Sequence, residues 1–104
     1  MAVDTTMKVL RLTGDDNNVA TIQGISLLHG VIAITSTLTA AASVLIYDLA
    51  AASAGSEVIE LHANTPDGTN YEKTFGCMFA YPLKLFTDVS VNVTNLAACY
   101  IYYT

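Results

Sequence analysis

Along much of this chain apolar and polar positions alternate one for one. In "EVIELHA" Ile59, Leu61 and Ala63 alternate with Val58, Glu60 and His62, and in "DVSVNVT" Val89, Val91 and Val93 alternate with Ser90, Asn92 and Thr94. Side chains of a strand point to its two faces in turn, so a period of two marks strands buried on one side. "YEKTFGCMFA" places Tyr71, Phe75, Cys77 and Phe79 on one face, with Lys73 interrupting the stripe, and "LLHGVIAIT" places Leu28, Ile32 and Ile34 together with Gly30 between them. Turn-forming residues punctuate these runs: "TGDDNN" at 13–18, "SAGS" at 53–56 and "NTPDGTN" at 64–70. The pattern predicts about eight strands: Met7–Thr13, Val19–Ile25, Ser26–Thr35, Ser43–Leu49, Glu57–Ala63, Tyr71–Phe79, Val89–Thr94 and Ala97–Tyr103. The expected fold is all-β, a single-domain antiparallel β-sandwich of jelly-roll type spanning 7–104, preceded by a polar N-terminal arm at 1–6.

Two stretches resist this simple reading. Ile25 to Tyr47 holds 23 residues without Asp, Glu, Lys or Arg, enough to cross a bilayer. Its β-branched content, its polar patch from Thr35 to Thr39 and the lack of flanking basic anchors favour two strands and a turn over a membrane span. The terminal "NLAACYIYYT" puts Cys99, Ile101 and Tyr103 on one face and Ala98, Tyr100, Tyr102 and Thr104 on the other. Neither face is polar, whereas a surface strand of an antiparallel sheet ordinarily shows a clean split. The first set is expected in the core, and Tyr100 and Tyr102 against a partner.

Composition sharpens that expectation. The 104 residues suffice for one core, and 53% are hydrophobic while only 12% are charged. That charged fraction is about half the usual one, too small to coat a free surface generously. The formal net charge of −5, with four Lys and Arg in all, supplies no basic patch for a phosphate backbone, so nucleic acid is not an expected partner. The opening "MAVDTTMK" lacks a basic end followed by an apolar run, so no signal peptide is read there.

Candidate chemistry is sparse. His29 and His62 stand far apart and fit no zinc or hydrolase spacing, and no G-x-S-x-G elbow is present. No catalytic residue, cofactor or metal is therefore assigned, and the chain is read as a non-enzyme. Asp15, Asp16, Asn64, Asp67 and Asn70 could offer oxygen ligands, but the calcium-loop register with its terminal Glu is missing, and turn formation accounts for them. Asn92 opens an "NVT" sequon, of consequence only in a glycosylating pathway. Cys77 and Cys99 both fall on apolar strand faces and are expected to be reduced and buried, with one bridge between neighbouring strands as the alternative.

The succession "LLHGVIAIT", "SVLIYDL", "EVIELHA" and "FAYPLKLFTDVSVNVTNLAACYIYY" resembles the small β-sandwich structural proteins of tailed-phage virions over roughly residues 19–104. The positions that carry the likeness are Leu28, Gly30, Val31, Ile46, Tyr47, Asp48, Pro82, Phe86, Thr87, Val91, Val93, Tyr102 and Tyr103. The pattern departs from it at Asp88, where a Gly is expected, and in a longer, more polar 64–82 region. The resemblance implies a capsid decoration or cement protein, or else a neck, tail or fibre component. It would be made in the host cytoplasm and located in the virion, on the capsid surface by preference. Its expected partners are the major capsid protein, other virion proteins and further copies of itself, a trimer being favoured, with no membrane. The interface would comprise the arm, Met1, Ala2, Val3, Asp4, Thr5 and Thr6, together with Tyr100 and Tyr102. A small carbohydrate-binding module is the alternative of another class, since Tyr rings stack on sugars, although the chain has no Trp.

Overall fold

In a computed structural model of the chain, the described residues are 7–22, 26–49, 55–86 and 89–104, with only the backbone course described for 14–22 and 26. They form six antiparallel strands and no helix: β1 (Lys8–Ile22), β2 (Ser26–Thr35), β3 (Ser43–Tyr47), β4 (Glu57–His62), β5 (Thr74–Leu85) and β6 (Val89–Tyr103). The order is β4-β3-β6-β2-β5, and β1 lies on the other side of β6. The fifteen-residue β6 belongs to two half-sheets. Its first half pairs with β3, its second half with β2, and β1 runs antiparallel to it from end to end. The sheet thus curls into an open half-barrel, elongated at 52 × 28 × 20 Å.

Six strands replace the expected eight because two predicted breaks are bends. "TGDDNN" is not a turn: β1 passes straight through it, with register shifts between Leu12 and Gly14, Gly14 and Asp16, and Asp16 and Val19. Val89–Thr94 and Ala97–Tyr103 likewise merge, with Asn95 at φ 55° between them. Turn-forming residues tolerate left-handed backbone, and a bulge in a long strand uses that tolerance as well as a hairpin does. The strand over Tyr71–Phe79 is also displaced and runs Thr74–Leu85, while the third ends at Tyr47 rather than Leu49.

The bulges decide which side chains reach the core. Val89, Val91 and Val93 are buried; then Leu96 is buried, and then Cys99 and Ile101. Gly14 pairs with Leu96 and Asp16 with Val93, so Thr94 and Asn95 oppose one residue; Ala97 and Ala98 oppose another in the same way. Each extra residue flips the alternation once, and two flips restore it. On β2 a single flip overturns the simple reading. Between Leu28 and Gly30 the register shifts, and the buried residues become Leu28, Val31, Ala33 and Thr35. Ile32 and Ile34, expected to share the face of Leu28, lie half-buried on the opposite one. The core is completed by Val44 and Ile46 of β3, by Ala42 and Ala63, and by Phe75 and Leu85 of β5. Full burial of each large aliphatic side chain here contributes about 1.5–3 kcal/mol.

Loops are tied by their own polar groups. In "NTPDGTN" the Gly68 amide donates to the Thr65 carbonyl at 3.0 Å across a turn with Pro66 second and Gly68 at φ 77°. The Asp67 carboxylate accepts from the Asn70 and Thr69 amides at 2.7 and 2.9 Å, and these bonds hold its carboxyl below the usual range. At the corner, the Ser36 amide donates to the Asn95 carbonyl at 2.9 Å, and Asn95 Nδ2 donates to the carbonyls of Thr37 and Ala40 at 2.8 and 3.0 Å. The Thr37 amide returns a bond to Asn95 Oδ1 at 3.2 Å.

Asn95→Ala removes these side-chain bonds and places a Cβ residue with no compensating polar group in left-handed backbone, whereas Asn95→Gly removes the bonds but suits the backbone. With about 0.5–1.5 kcal/mol net per hydrogen bond and about 1 kcal/mol for the left-handed residue, the Ala variant should lose about 3 kcal/mol in urea unfolding and the Gly variant about 1 kcal/mol less. Equal losses would show that the backbone conformation is not part of the constraint.

Candidate interaction face

The two half-sheets present different outer faces. Over the half formed by β3, β4 and the start of β6, several outward side chains are polar and bonded to one another, beside the apolar Leu45 and Val58. Tyr47 Oη donates to Glu57 Oε1 at 3.4 Å and accepts from Asn92 Nδ2 at 3.4 Å. His62 Nε2 lies 2.8 Å from Glu60 Oε1. Burial and the neighbouring Glu57 carboxylate raise the Tyr47 phenol above its ordinary value. Ser90, opposite Tyr47, is fully buried and its Oγ has no hydrogen-bond partner among the described residues.

Over the other half the outer face is apolar and aromatic. Cross-strand pairing aligns Val9, Tyr102, Gly30 and Met78 in one row, Arg11, Tyr100, Ile32 and Gly76 in the next, and Ala98, Ile34 and Thr74 in a third. Val9 and Met78 are 53% and 47% exposed, and Tyr100, Tyr102, Ile32 and Ile34 are half-buried. Gly30 is required here, because a Cβ at that position would meet Met78 Sδ at 2.5 Å and the Met78 backbone at 2.7 Å. The thioether therefore lies over the bare backbone of Gly30, between Tyr102 and β5. Arg11 sits over the Tyr100 ring, its guanidinium carbon 5.9 Å from the centroid, and its Nε donates to Tyr100 Oη at 3.4 Å. It is the one charged side chain in these rows.

The division of the last strand follows the alternation: Cys99 and Ile101 are fully buried, Tyr103 packs on the core, and Tyr100 and Tyr102 face outward. Met1, Ala2, Val3, Asp4, Thr5 and Thr6, named with them as an interface, lie outside the described residues. Sequence reading missed Val9, Met78 and Ile32 as members of the same face. Their signal is cross-strand, visible only once the register is known. It also missed Tyr81, which is 87% exposed. Leu28 pairs with Leu83 and Gly30 with Met78, so residues 79–82 all stand opposite His29 and push Tyr81 out from the edge of the sheet.

Other candidate groups separate. His29 Nε2 is 2.9 Å from Thr104 Oγ1, remote in pairing from His62 on β4. Among the described residues no group of three or more His, Cys, Asp or Glu is placed to hold a metal ion. No helix among them is long and apolar enough to cross a membrane, and the described part of Ile25 to Tyr47 comprises two strands and their connection. The cysteines are both free thiols, but only Cys99 is buried. Cys77, expected in the core beside Phe75 and Phe79, is exposed: it stands opposite buried Val31 in unbroken register, but on β5, an edge strand that pairs with β2 alone among the described residues. No protein-family model, curated protein or solved structure matches this chain.

Native protein should therefore react with a thiol reagent at Cys77 within the mixing time and at Cys99 only on unfolding; two equally fast thiols would contradict the packing around Ile101. A second expectation concerns alkali. Burial pushes the Cys99 thiol from its ordinary 9.0 up to about 12, so between these values the folded state keeps a proton that the unfolded state releases. The resulting stabilisation is full below pH 9.0 and falls as pH rises towards about 12. Urea titrations at roughly pH 7 and pH 10.5 should show a larger alkaline loss in wild type than in Cys99→Ala.

Proposed function

We propose that this protein is a non-enzymatic structural component of a tailed-phage virion, a decoration or cement protein that stabilises the head through oligomeric contacts with the major capsid protein. The observation that carries the reading is the outer face of Val9, Tyr100, Tyr102, Ile32, Ile34 and Met78, a largely apolar surface whose aligned rows hold one cation, Arg11. Tyr suits such a surface because it removes a large apolar area from water while its hydroxyl stays at a wetter rim. The small charged fraction of the whole chain supports the same reading, since a free monomer would be poorly covered. On this view the curled sheet is the frame of a jelly-roll-like sandwich. The trimer, the arm at 1–6 and a location on the capsid surface belong to the same proposal, with a neck, tail or fibre position as the variant within it.

One observation favours a second reading, a carbohydrate-binding module: Tyr81 projects from the sheet edge at 87% exposure, and an isolated ring can stack on a sugar. A glycan array with wild type and Tyr81→Ala addresses it directly.

The decisive experiment for the first reading is co-sedimentation with phage heads stripped of accessory proteins, followed by a map of the decorated particle. Truncating a central interface aromatic costs about 2 kcal/mol or more, so Tyr100→Ala with Tyr102→Ala should keep the β spectrum yet weaken head binding by at least about 30-fold. Binding equal to wild type would show that the face is not the interface, and loss of the β spectrum would assign the tyrosines to the fold.

A further inference from the structure

Three strand edges carry no hydrogen-bonded neighbour among the described residues: β1 pairs with β6 alone, β4 with β3 alone and β5 with β2 alone. An open edge offers unpaired amides and carbonyls to another chain. The β1 and β4 edges form a candidate pair because they carry opposite charges, and both leave their core-side residues incompletely covered. On β1, Leu10 and Leu12 are half-buried between exposed Val9, Arg11 and Thr13, and on β4, Ile59 and Leu61 are half-buried between exposed Val58, Glu60 and His62. In the interior strands the corresponding residues, Val31, Val44, Ile46 and Ile101, are fully buried. What the edge residues lack is an adjoining strand.

We propose that the β1 edge of one copy pairs antiparallel with the β4 edge of a second copy, in the register that sets Leu10 opposite Leu61, Arg11 opposite Glu60 and Leu12 opposite Ile59. Directly opposed residues of an antiparallel pair share a face. This register is therefore one that keeps core-side residues against core-side residues and outer against outer. It continues the apolar inner surface from Leu10 and Leu12 to Leu61 and Ile59. On the outer surface it brings a guanidinium to a carboxylate: Arg11 is exposed, and the Glu60 side chain is 58% exposed beside His62. Charge complementarity is the argument for a second copy as the occupant. The chain has only four Lys and Arg; two of them, Lys8 and Arg11, are on β1, and the carboxylates Glu57 and Glu60 are on β4. In this register the opposed charges are Arg11 and Glu60, while Lys8 stands opposite Ala63 and Glu57 opposite Gly14; pairing either edge with itself over these residues would bring like charges together instead.

The contact joins unlike surfaces, so it gives a ring where the rotation between copies closes, an open filament where it does not, or a reciprocal dimer in which each copy gives one edge and receives the other; a closed assembly is the one proposed. Five or so residue pairs bury less than the about 1,200 Å² of a standard interface, and use of both edges by every copy supplies the remainder. The pairing is independent of the virion reading, and it is tested on the free full-length protein without capsids.

Light scattering coupled to gel filtration should find wild type as an oligomer of defined mass. Arg11→Glu and Glu60→Arg should each weaken association tenfold or more with the β spectrum kept, and the two changes together in one chain should restore it. A wild type that stays monomeric, an oligomer indifferent to both single changes, or a double variant that remains dissociated would overturn the pairing. Should a charge variant fail to fold, cysteine trapping decides. In a Cys77→Ser background, Arg11→Cys copies mixed with Glu60→Cys copies should form a disulfide-linked pair under oxidation, while neither set alone does; absence of the mixed pair would overturn the proposal.

Discussion

Everything in this fold depends on one strand turning a corner without ending. β6 lends its first half to β3, its second half to β2 and its whole length to β1. A continuous strand can serve two half-sheets only where its pleat is interrupted, and the interruption is the left-handed residue Asn95 with a second bulge at Ala97 and Ala98. Asn is among the few residues besides Gly that adopt this backbone readily. Its side chain then does what Gly cannot, binding the 36–40 connection with both amide groups. That connection is in turn fastened to the next loop, for Tyr71 donates to Leu38 and Thr35 to Lys73 at 2.8 and 2.7 Å. Thus the corner, the β2–β3 connection and the start of β5 are fixed together.

Much of the strand content was legible before the structure, because burial on one face imposes a period of two wherever the pleat is regular. Val89, Val91 and Val93, and Cys99 and Ile101, are recognisable as core residues for this reason. What failed has two causes. A bulge leaves no mark on hydrophobicity, since it inserts one residue and reverses the phase of everything beyond it. Ile32 and Ile34 therefore read as core when Val31 and Ala33 are. Cys77 keeps its core-side phase opposite Val31 and is exposed because it lies on the edge strand β5, a position that alternation along one strand does not reveal. The ambiguity of bulges also makes "TGDDNN" look like a hairpin. Gly, Asp and Asn favour left-handed backbone in either setting, and only the length of the partner strand distinguishes a turn from a bend.

The outer face was half legible. Tyr100 and Tyr102 stand out because two tyrosines on the expected solvent side of a strand are chemically misplaced. Val9, Ile32 and Met78 are single apolar residues on three other strands and carry no such signal alone. Gly30 joins them: without a Cβ it leaves room for the Met78 thioether against the sheet between Tyr102 and β5.

The polarity of the molecule is then organised by half-sheet rather than by layer. Several side chains over β3, β4 and the start of β6 bond to one another, as Tyr47, Glu57 and Asn92 do. Those over β2 and β5 are mostly apolar or aromatic, with Arg11 bonded to Tyr100 beside them. Because β6 runs through both halves, the change from polar to apolar outer face falls at its bend, between Asn92 and Tyr100. The corner that allows the sheet to curl around a core therefore also separates a self-sufficient face from one that gains by being covered. With 12% of its residues charged, the chain gathers polar side-chain bonds over one half of the sheet and outward aromatic and aliphatic side chains over the other, and this asymmetry is the basis on which association is proposed for the apolar half.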